Sequence, residues 1–92
     1  MPEIKTKLEW EKGAFDKYQI MITKIPLFHR NIAKVVVDKQ AVINAAQRGA
    51  DSVQESDIVR AFFSEVPKAF YSLMIRLFDD VGFNYKEYEQ KT

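Results

Sequence analysis

The sequence predicts an all-α fold, a small bundle of about four helices built around one long central helix. Two observations lead to this prediction. Apolar residues recur at helical spacing through most of the 92-residue chain, and no stretch alternates apolar and polar residues as a half-buried strand would. Prolines and glycines stand mainly where these periodic stretches begin and end. With 47% hydrophobic and 29% charged residues, the composition is that of one compact domain over residues 1–92.

The first predicted helix covers residues 10–24. Apolar side chains from Trp10 to Ile25 fall on one face at the angular step of a helix, and polar side chains fall on the other. Pro26 disfavours helical backbone at the preceding residue, so we expect the chain to turn at Ile25. The first helix is therefore amphipathic and ends just before the central one.

The central helix is predicted over residues 27–48. Pro26 suits its first turn, and Gly49 suits the left-handed residue that closes a helix. Two apolar stripes run along opposite sides, which is typical of a helix at the centre of a bundle. We expect the wider stripe to be the main packing face. It comprises Phe28, Ile32, Val35, Val42, Ile43 and Ala46, and the narrower stripe comprises Ala33, Val37 and Ala41.

Two shorter helices, over residues 54–65 and 67–81, are predicted to follow. Ser52 and the glutamate three residues later have the spacing of a capping box for the third helix, and a proline begins the fourth. Gly82 stops the fourth helix. We expect residues 83–92 to form a loose tail that either lies across the bundle or remains mobile, because its aromatic and polar residues lack helical spacing.

The fourth helix has a wider apolar arc than one small domain needs. Its core stripe is flanked by further apolar residues, so the arc extends over about 200°. Apolar surface left over in this way is typical of a contact with another protein molecule. We therefore predict an interface that comprises Phe62, Phe63, Tyr71, Ile75 and Phe78.

Catalytic groups are scarce in this chain. The absence of cysteine excludes disulfides and thiolate chemistry, and the one histidine, His29, falls in the first turn of the central helix. A rim position is the ordinary interpretation of His29, with proton transfer or axial ligation of a metal-bearing ring as the alternative. Asp79 and Asp80 diverge on a helix because they are adjacent, and the acids around Asp51 lack the spacing of a calcium loop. We predict no enzymatic activity, no metal and no cofactor.

Basic residues are concentrated on the central helix. Arg30, Lys34, Lys39 and Arg48 stand there against one acid, Asp38, although the net charge of the chain is only +1. This bias favours an anionic partner, but it falls short of the dense basic face of a nucleic-acid binder. Lys34 and Asp38 lie one turn apart and are expected to form an ion pair. Lys39 interrupts the wider stripe; we expect it to reach solvent from the edge of the core, with a buried lysine that meets an anionic ligand as the alternative.

The sequence also indicates the cellular compartment in which we expect the protein. No apolar run approaches the length of a membrane span. The N-terminal residues lack the apolar core of a signal peptide. We therefore expect a cytoplasmic protein that does not enter a membrane.

A specific motif begins with a tryptophan that is followed four residues later by an alanine, and it continues with isoleucine–proline, phenylalanine and arginine. The residues that carry it are Trp10, Ala14, Ile25, Pro26, Phe28, Arg30, Ala33, Lys34, Val37, Asp38 and Ala41, followed by Arg48, Gly49, Val53 and Ala61. This pattern resembles the C-terminal domain of the B subunit of light-independent protochlorophyllide reductase, over roughly residues 8–63. Two insertions relative to that family are each close to one helical turn, so the helices lengthen without rotating.

The resemblance implies an accessory role. In the reductase, a nitrogenase-like complex that reduces a tetrapyrrole, the cluster and most of the substrate site lie in other domains. Residues 42–63 are similar, more weakly, to histone-fold proteins, since a long helix that ends in a basic residue and glycine is followed by a short loop and the segment SDIVRAF. The short, long, short order of helices also fits the histone fold, whose members dimerise and bind the DNA backbone, although the loop here is acidic.

The leading hypothesis is a non-enzymatic helical interaction domain that packs onto itself, as a homo-oligomer, or onto a protein partner. An alternative is a helper that binds a tetrapyrrole or another anionic ligand, with aromatic rings that stack on the ligand and basic residues that pair with its carboxylates. The candidate binding residues are Trp10, Phe28, His29, Arg30, Lys34 and Lys39. A further alternative is a histone-like DNA-binding protein that uses Lys24, Arg30, Lys34 and Arg60.

Overall fold

The computed structural model describes residues 8–88 and shows a small all-α bundle with a long central helix, which confirms the predicted fold class. The helices are α1 (Lys12–Lys24), α2 (Leu27–Gln47), α3 (Glu55–Glu65) and α4 (Tyr71–Val81), with a 3-10 turn, Lys68–Phe70, before α4. The longest, α2, has 21 residues and lies mainly against α3, while α4 lies mainly against α1. Within the described residues, no helix combines the length and the apolar character that crossing a membrane requires.

The helices end where prolines and glycines predicted that they would. Only Ile25 and Pro26 separate α1 from α2, and both have extended backbone, so the predicted turn at Ile25 is confirmed. Gly49 and Gly82 follow α2 and α4 in the left-handed conformation, with φ of 73° and 85°. This conformation strains a residue with a side chain, which is why glycine stands at these two helix ends.

Two short strands join the start of α1 to the loop between α2 and α3, and the sequence did not predict them. Strand β1 (Glu9–Trp10) runs parallel to strand β2 (Ser52–Val53), with Trp10 opposite Val53. The amide of Glu11 extends the pairing with a hydrogen bond of 2.8 Å to the Val53 carbonyl. A strand of two residues is too short to show alternation, so the helical spacing of the apolar residues extended the predicted helix to Trp10.

The central helix packs through its narrower apolar stripe, and the first half of the wider stripe faces solvent, whereas Val42 and Ile43 farther along the helix are half-buried. Phe28 is 90% exposed, Ile32 68% and Val35 67%, although we expected these residues to form the packing face. Small side chains on the other side allow α3 to approach closely, and that contact sets which side of α2 is buried. The buried residues of α2 are Val37, Ala41, Asn44 and Ala45.

Phe78 of α4 lies at the centre of an aromatic core. Its side chain is fully buried, and the centroid of its ring lies 5.5 to 5.9 Å from the centroids of four other rings. Two of these rings, Phe62 and Phe63, belong to α3, and the other two, Phe83 and Tyr85, belong to the segment after α4. Phe62 and Phe83 meet the Phe78 ring edge to face and Tyr85 stacks on it, both of which are favourable arrangements for aromatic rings.

The segment after α4 is packed against the bundle, whereas we predicted a loose tail over residues 83–92. Its two buried rings are anchored in the core, and the amide of Asn84 donates a hydrogen bond of 2.9 Å to the carboxylate of Glu55. Residues 83–88 therefore follow the alternative in which the tail lies across the bundle, and they are not loose, because burial of large aromatic side chains offsets the entropy lost when a short segment is ordered. Residues 89–92 lie outside the described residues.

A buried ion pair fixes the start of α3. Asp57 is fully buried, and its two carboxylate oxygens accept hydrogen bonds of 2.8 and 2.7 Å from the guanidinium of Arg48. One of these oxygens also accepts a hydrogen bond of 2.8 Å from the amide of Gln54, as the third residue of a capping box does. The capping box predicted at Ser52 and Glu55 is therefore wrong by two residues, because Ser52 belongs to strand β2 and the helix begins later.

Candidate functional site

An open apolar groove, which we call the α2–α4 groove, lies between α2 and the segment that leads into α4. Its volume of about 400 Å³ is within the range of ligand and peptide sites. One wall carries Phe28 and Ile32 of α2, and the other carries Phe70 and Leu73. All four side chains are exposed, so both walls are open to solvent.

The floor of the α2–α4 groove belongs to the hydrophobic core. Met21 of α1 and Met74 and Leu77 of α4 line it, and all three are buried. The packing of the helices therefore fixes the position of the floor. Methionine side chains are flexible and polarizable, so two of them at the base of a groove can adjust to the shape of what binds there.

His29 and Glu65 are the ionisable residues that line this groove. The centroid of the His29 ring lies 5.4 Å from that of Phe28 and 5.5 Å from that of Phe70, so the imidazole stands between the two walls. Its exposed position at the rim agrees with the ordinary interpretation of this histidine. Among residues 8–88, no group of histidine and acidic side chains is placed to hold a metal ion.

Arg30 fastens α2 to the end of α1. Its guanidinium donates hydrogen bonds of 2.8 Å to the carbonyl of Thr23 and of 3.1 and 3.2 Å to the carbonyl of Ile25. Carbonyls at the C-terminal end of a helix lack partners within the helix, and a basic side chain satisfies them. The structure therefore gives Arg30 a structural role at the corner between the two helices.

The other two basic candidates also lie outside the α2–α4 groove. Lys34 Nζ lies 2.7 Å from the carboxylate of Asp38, which confirms the predicted ion pair. Lys39 is exposed, and it lies on the outward stripe of α2 about one turn beyond Val35. We expected it at the edge of the core; because this stripe faces solvent, a lysine there needs no buried partner.

Trp10 is separated from Phe28, with which we expected it to form a stacking site. Its ring stacks on Tyr18 at 5.4 Å with an interplanar angle of 11° and meets the edge of Phe15 at 5.9 Å. Phe28 lies in the α2–α4 groove, which Trp10 does not line. The candidate residues therefore divide into a groove pair, Phe28 and His29, and a set engaged elsewhere in the fold.

The residues of the predicted interface also fall into two groups, one buried and one half-buried. Phe62, Phe63 and Phe78 are buried in the aromatic core and expose no surface to a partner. Tyr71 and Ile75 are half-buried against that core, and the Tyr71 hydroxyl donates a hydrogen bond to the Phe63 carbonyl. The interface is therefore corrected: the wide apolar arc of α4 is covered in large part by α3 and by the segment after α4.

Sequence reasoning missed the groove residues Ile32, Phe70 and Leu73 as a surface. The apolar periodicity of the two predicted helices marked all three, but it assigned them to the core. Periodicity shows that a helix has an apolar face and does not show which neighbour covers it. The signal that remains in the sequence is the presence of two apolar stripes on α2, of which one small domain buries only one.

Tyr18 connects the stacked Trp10 ring to the Lys34–Asp38 pair. Its side chain is buried, and its hydroxyl donates a hydrogen bond to the carboxylate of Asp38. Burial raises the pKa of Tyr18 well above its ordinary value, and the hydrogen bond to Asp38 raises it further. The network therefore holds a neutral phenol inside the fold at alkaline pH.

We expect the wild type to lose an extra increment of stability above about pH 10, where the unfolded chain ionises Tyr18 and the folded chain does not. Unfolding then releases a proton, so the free energy of unfolding falls by up to about 1.4 kcal/mol per pH unit. The Tyr18→Phe variant lacks both this pH-dependent contribution to stability and the hydrogen bond to Asp38. Urea denaturation of both proteins between neutral pH and pH 11 should show the wild type more stable at neutral pH by about 1 kcal/mol, with the difference closing as pH rises. A difference that stays constant with pH would contradict the expectation.

The arrangement offers an apolar docking surface, and the ionisable groups of residues 8–88 do not converge on it as catalytic groups would. Models of protein families, curated proteins and solved structures yield no match to this chain.

Proposed function

We propose that this chain is a non-enzymatic helical interaction domain that binds a protein partner through the α2–α4 groove. The observation that carries the proposal is the exposed apolar wall of Phe28 and Ile32 beside a groove with a buried apolar floor. Removal of such surface from water is favourable, and soluble monomers rarely leave a large contiguous patch uncovered. A partner that covers the wall and enters the groove gains this free energy.

The shape of the site supports a helical partner. The groove lies between two helices, and its walls carry apolar side chains that alternate with helical spacing, as at Phe28 and Ile32 and at Phe70 and Leu73. An amphipathic helix binds such a groove through apolar residues at intervals of three and four positions. The accessory role implied by the resemblance to the reductase domain agrees with this proposal and stays a prediction.

The alternatives have less support from the placement of charges. An anionic ligand in the groove would meet Glu65, whereas Arg30 and Lys34 are hydrogen-bonded elsewhere and Lys39 is not a groove residue. The DNA-binding alternative relies on the same Arg30 and Lys34, whose engagement within the fold weakens their contact with phosphates. The DNA-binding alternative does not use the apolar surface, and the ligand-binding alternative uses only Phe28 and His29 from it.

Site-specific crosslinking of the full chain in its own cells tests the proposal. A photoreactive phenylalanine analogue placed at position 28 is expected to give a covalent adduct with a protein, because Phe28 stands at the rim of the groove. The same analogue at Gln47, which is exposed at the far end of α2, is the control. Denaturing gels and mass spectrometry identify the adduct. No adduct at position 28, or equal adducts at both positions, would refute the proposal.

A further inference from the structure

We infer that the partner is a second copy of this chain, in a symmetric dimer in which the exposed stripe of each α2 lies in the α2–α4 groove of the other copy. This inference rests on the proposed function. We call the exposed apolar residues at the start of α2 the α2 ridge. They are Leu27, Phe28, Ile32 and Val35.

The α2 ridge has the pattern that the groove requires of its partner. Phe28, Ile32 and Val35 follow one another at intervals of four and three, as the contact residues of an amphipathic helix in a groove do. All three project into solvent, so they are available without any rearrangement of the fold. One chain therefore presents both halves of a helix-in-groove contact.

Ridge and groove also lie on the same face of the molecule. Phe28 and Ile32 belong to both, since they form one wall of the groove. In a dimer with two-fold symmetry, the same patch of each copy meets itself, so a patch that contains a projection beside a depression can bury both at once. Closure after two copies leaves no exposed end that would add further copies.

The exposed area is of the size that a stable dimer needs. Leu27 of the ridge is 74% exposed, and the groove residues Phe70 and Leu73 are 44% and 36% exposed. The other three ridge residues are 67% to 90% exposed, as given above. With on the order of 200 Å² for a large apolar residue, these six expose roughly 750 Å². A standard interface buries about 800 Å² on each partner, and the largest apolar patch of a typical monomer covers about 300 to 600 Å².

Charge does not oppose this contact. Arg30 and Lys34, which fall within the same turns of α2, are bonded to carbonyls of the chain and to Asp38 and so are turned away from a partner. The first charge on the line of the ridge is Lys39, about one turn beyond Val35. The acidic residue that lines the groove is Glu65, whose charge is opposite to that of Lys39.

The oligomeric state of the full chain tests the inference. Sedimentation equilibrium from micromolar to millimolar protein is expected to show a reversible dimer for the wild type. Phe28→Asp places a charge at the centre of the contact in both copies, and it is expected to weaken the dimer by at least about 100-fold. Because Phe28 is almost fully exposed, circular dichroism should show unchanged helix content.

Gln47→Asp adds the same charge to α2 away from the ridge and is expected to leave the dimer constant within about threefold. Since the chain contains no cysteine, single cysteines at positions 28, 32 and 35 can report the geometry. At least one of them is expected to form a disulfide-linked dimer faster than a cysteine at position 47. A dimer that survives Phe28→Asp, or faster crosslinking at position 47, overturns the inference.

The two proposals fail in different ways. A wild type that stays monomeric at every concentration, together with a position-28 adduct that contains a different protein, overturns the dimer and leaves the interaction domain in place. A monomer with no adduct overturns both. A position-28 adduct with twice the mass of the chain, lost on addition of denaturant before irradiation, supports both.

Discussion

Phe78→Ala is expected to lower the free energy of unfolding by about 4 kcal/mol. The side chain is fully buried, and its ring lies against four others, so truncation removes apolar burial and leaves a cavity among rings that belong to two separate segments, α3 and the segment after α4. For a domain of this size the loss corresponds to a decrease in Tm of about 20 °C. Urea denaturation followed by circular dichroism measures it.

Phe70→Ala is the matched control for this variant. It deletes the same atoms from a phenylalanine that stands just before α4 and is 44% exposed, so we expect a loss of about 1 kcal/mol or less. Phe78→Leu, which keeps an apolar side chain in place, should cost less than half as much as the alanine variant. Equal losses for Phe70→Ala and Phe78→Ala would contradict the core assignment of Phe78.

The contrast between these two phenylalanines shows what the sequence of α4 could not resolve. Both belong to the apolar arc predicted for the fourth helix, which is too wide for one neighbour to cover. The sequence did not show that Phe83 and Tyr85 return across the helix, because a packed segment without regular structure has no periodicity to detect. That segment covers one side of the arc, and the uncovered side forms a wall of the α2–α4 groove.

The same limit applies to α2. Its ends could be predicted, because Pro26 and Gly49 act locally through backbone conformation. Its orientation could not, because the choice between two apolar stripes depends on the shape of α3. The helix buries the stripe of small residues around Val37 and Ala41, where close approach is possible, and exposes the larger residues from Phe28 to Val35. The width of an apolar stripe is therefore a poor guide to its burial when the side chains of the narrower stripe are the smaller ones.

The ion pairs show the same difference between contacts within one helix and contacts between helices. The Lys34–Asp38 pair was predictable because it is formed within one helix at a fixed spacing. The Arg48–Asp57 pair joins the end of α2 to the first turn of α3, and only the fold brings these residues together. Asp57 is buried because α2 and α3 pack together there, and no local pattern in the sequence indicates that burial. Long-range pairs of this kind require the structure.

Arg48→Met is expected to lower the free energy of unfolding by about 2 to 3 kcal/mol, although the Arg48 side chain is 40% exposed. The cost arises at the other partner: Asp57 is fully buried, and without the guanidinium its carboxylate keeps the amide of Gln54 but loses two charge-assisted hydrogen bonds. Asn44 also donates a hydrogen bond of 3.0 Å to the Asp57 carbonyl, so the strain would reach the contact between α2 and α3. Chemical denaturation measures the loss.

Arg76→Met, at an exposed arginine of α4, is the matched control and should change stability by less than about 0.5 kcal/mol. The decisive comparison adds Asp57→Asn to Arg48→Met. Neutralising the buried carboxylate removes the charge that the first substitution left unpaired, so the double variant should lose clearly less than the sum of the two single losses. Strict additivity would mean that the two side chains stabilise the fold independently, and that the start of α3 is held by the helix cap alone.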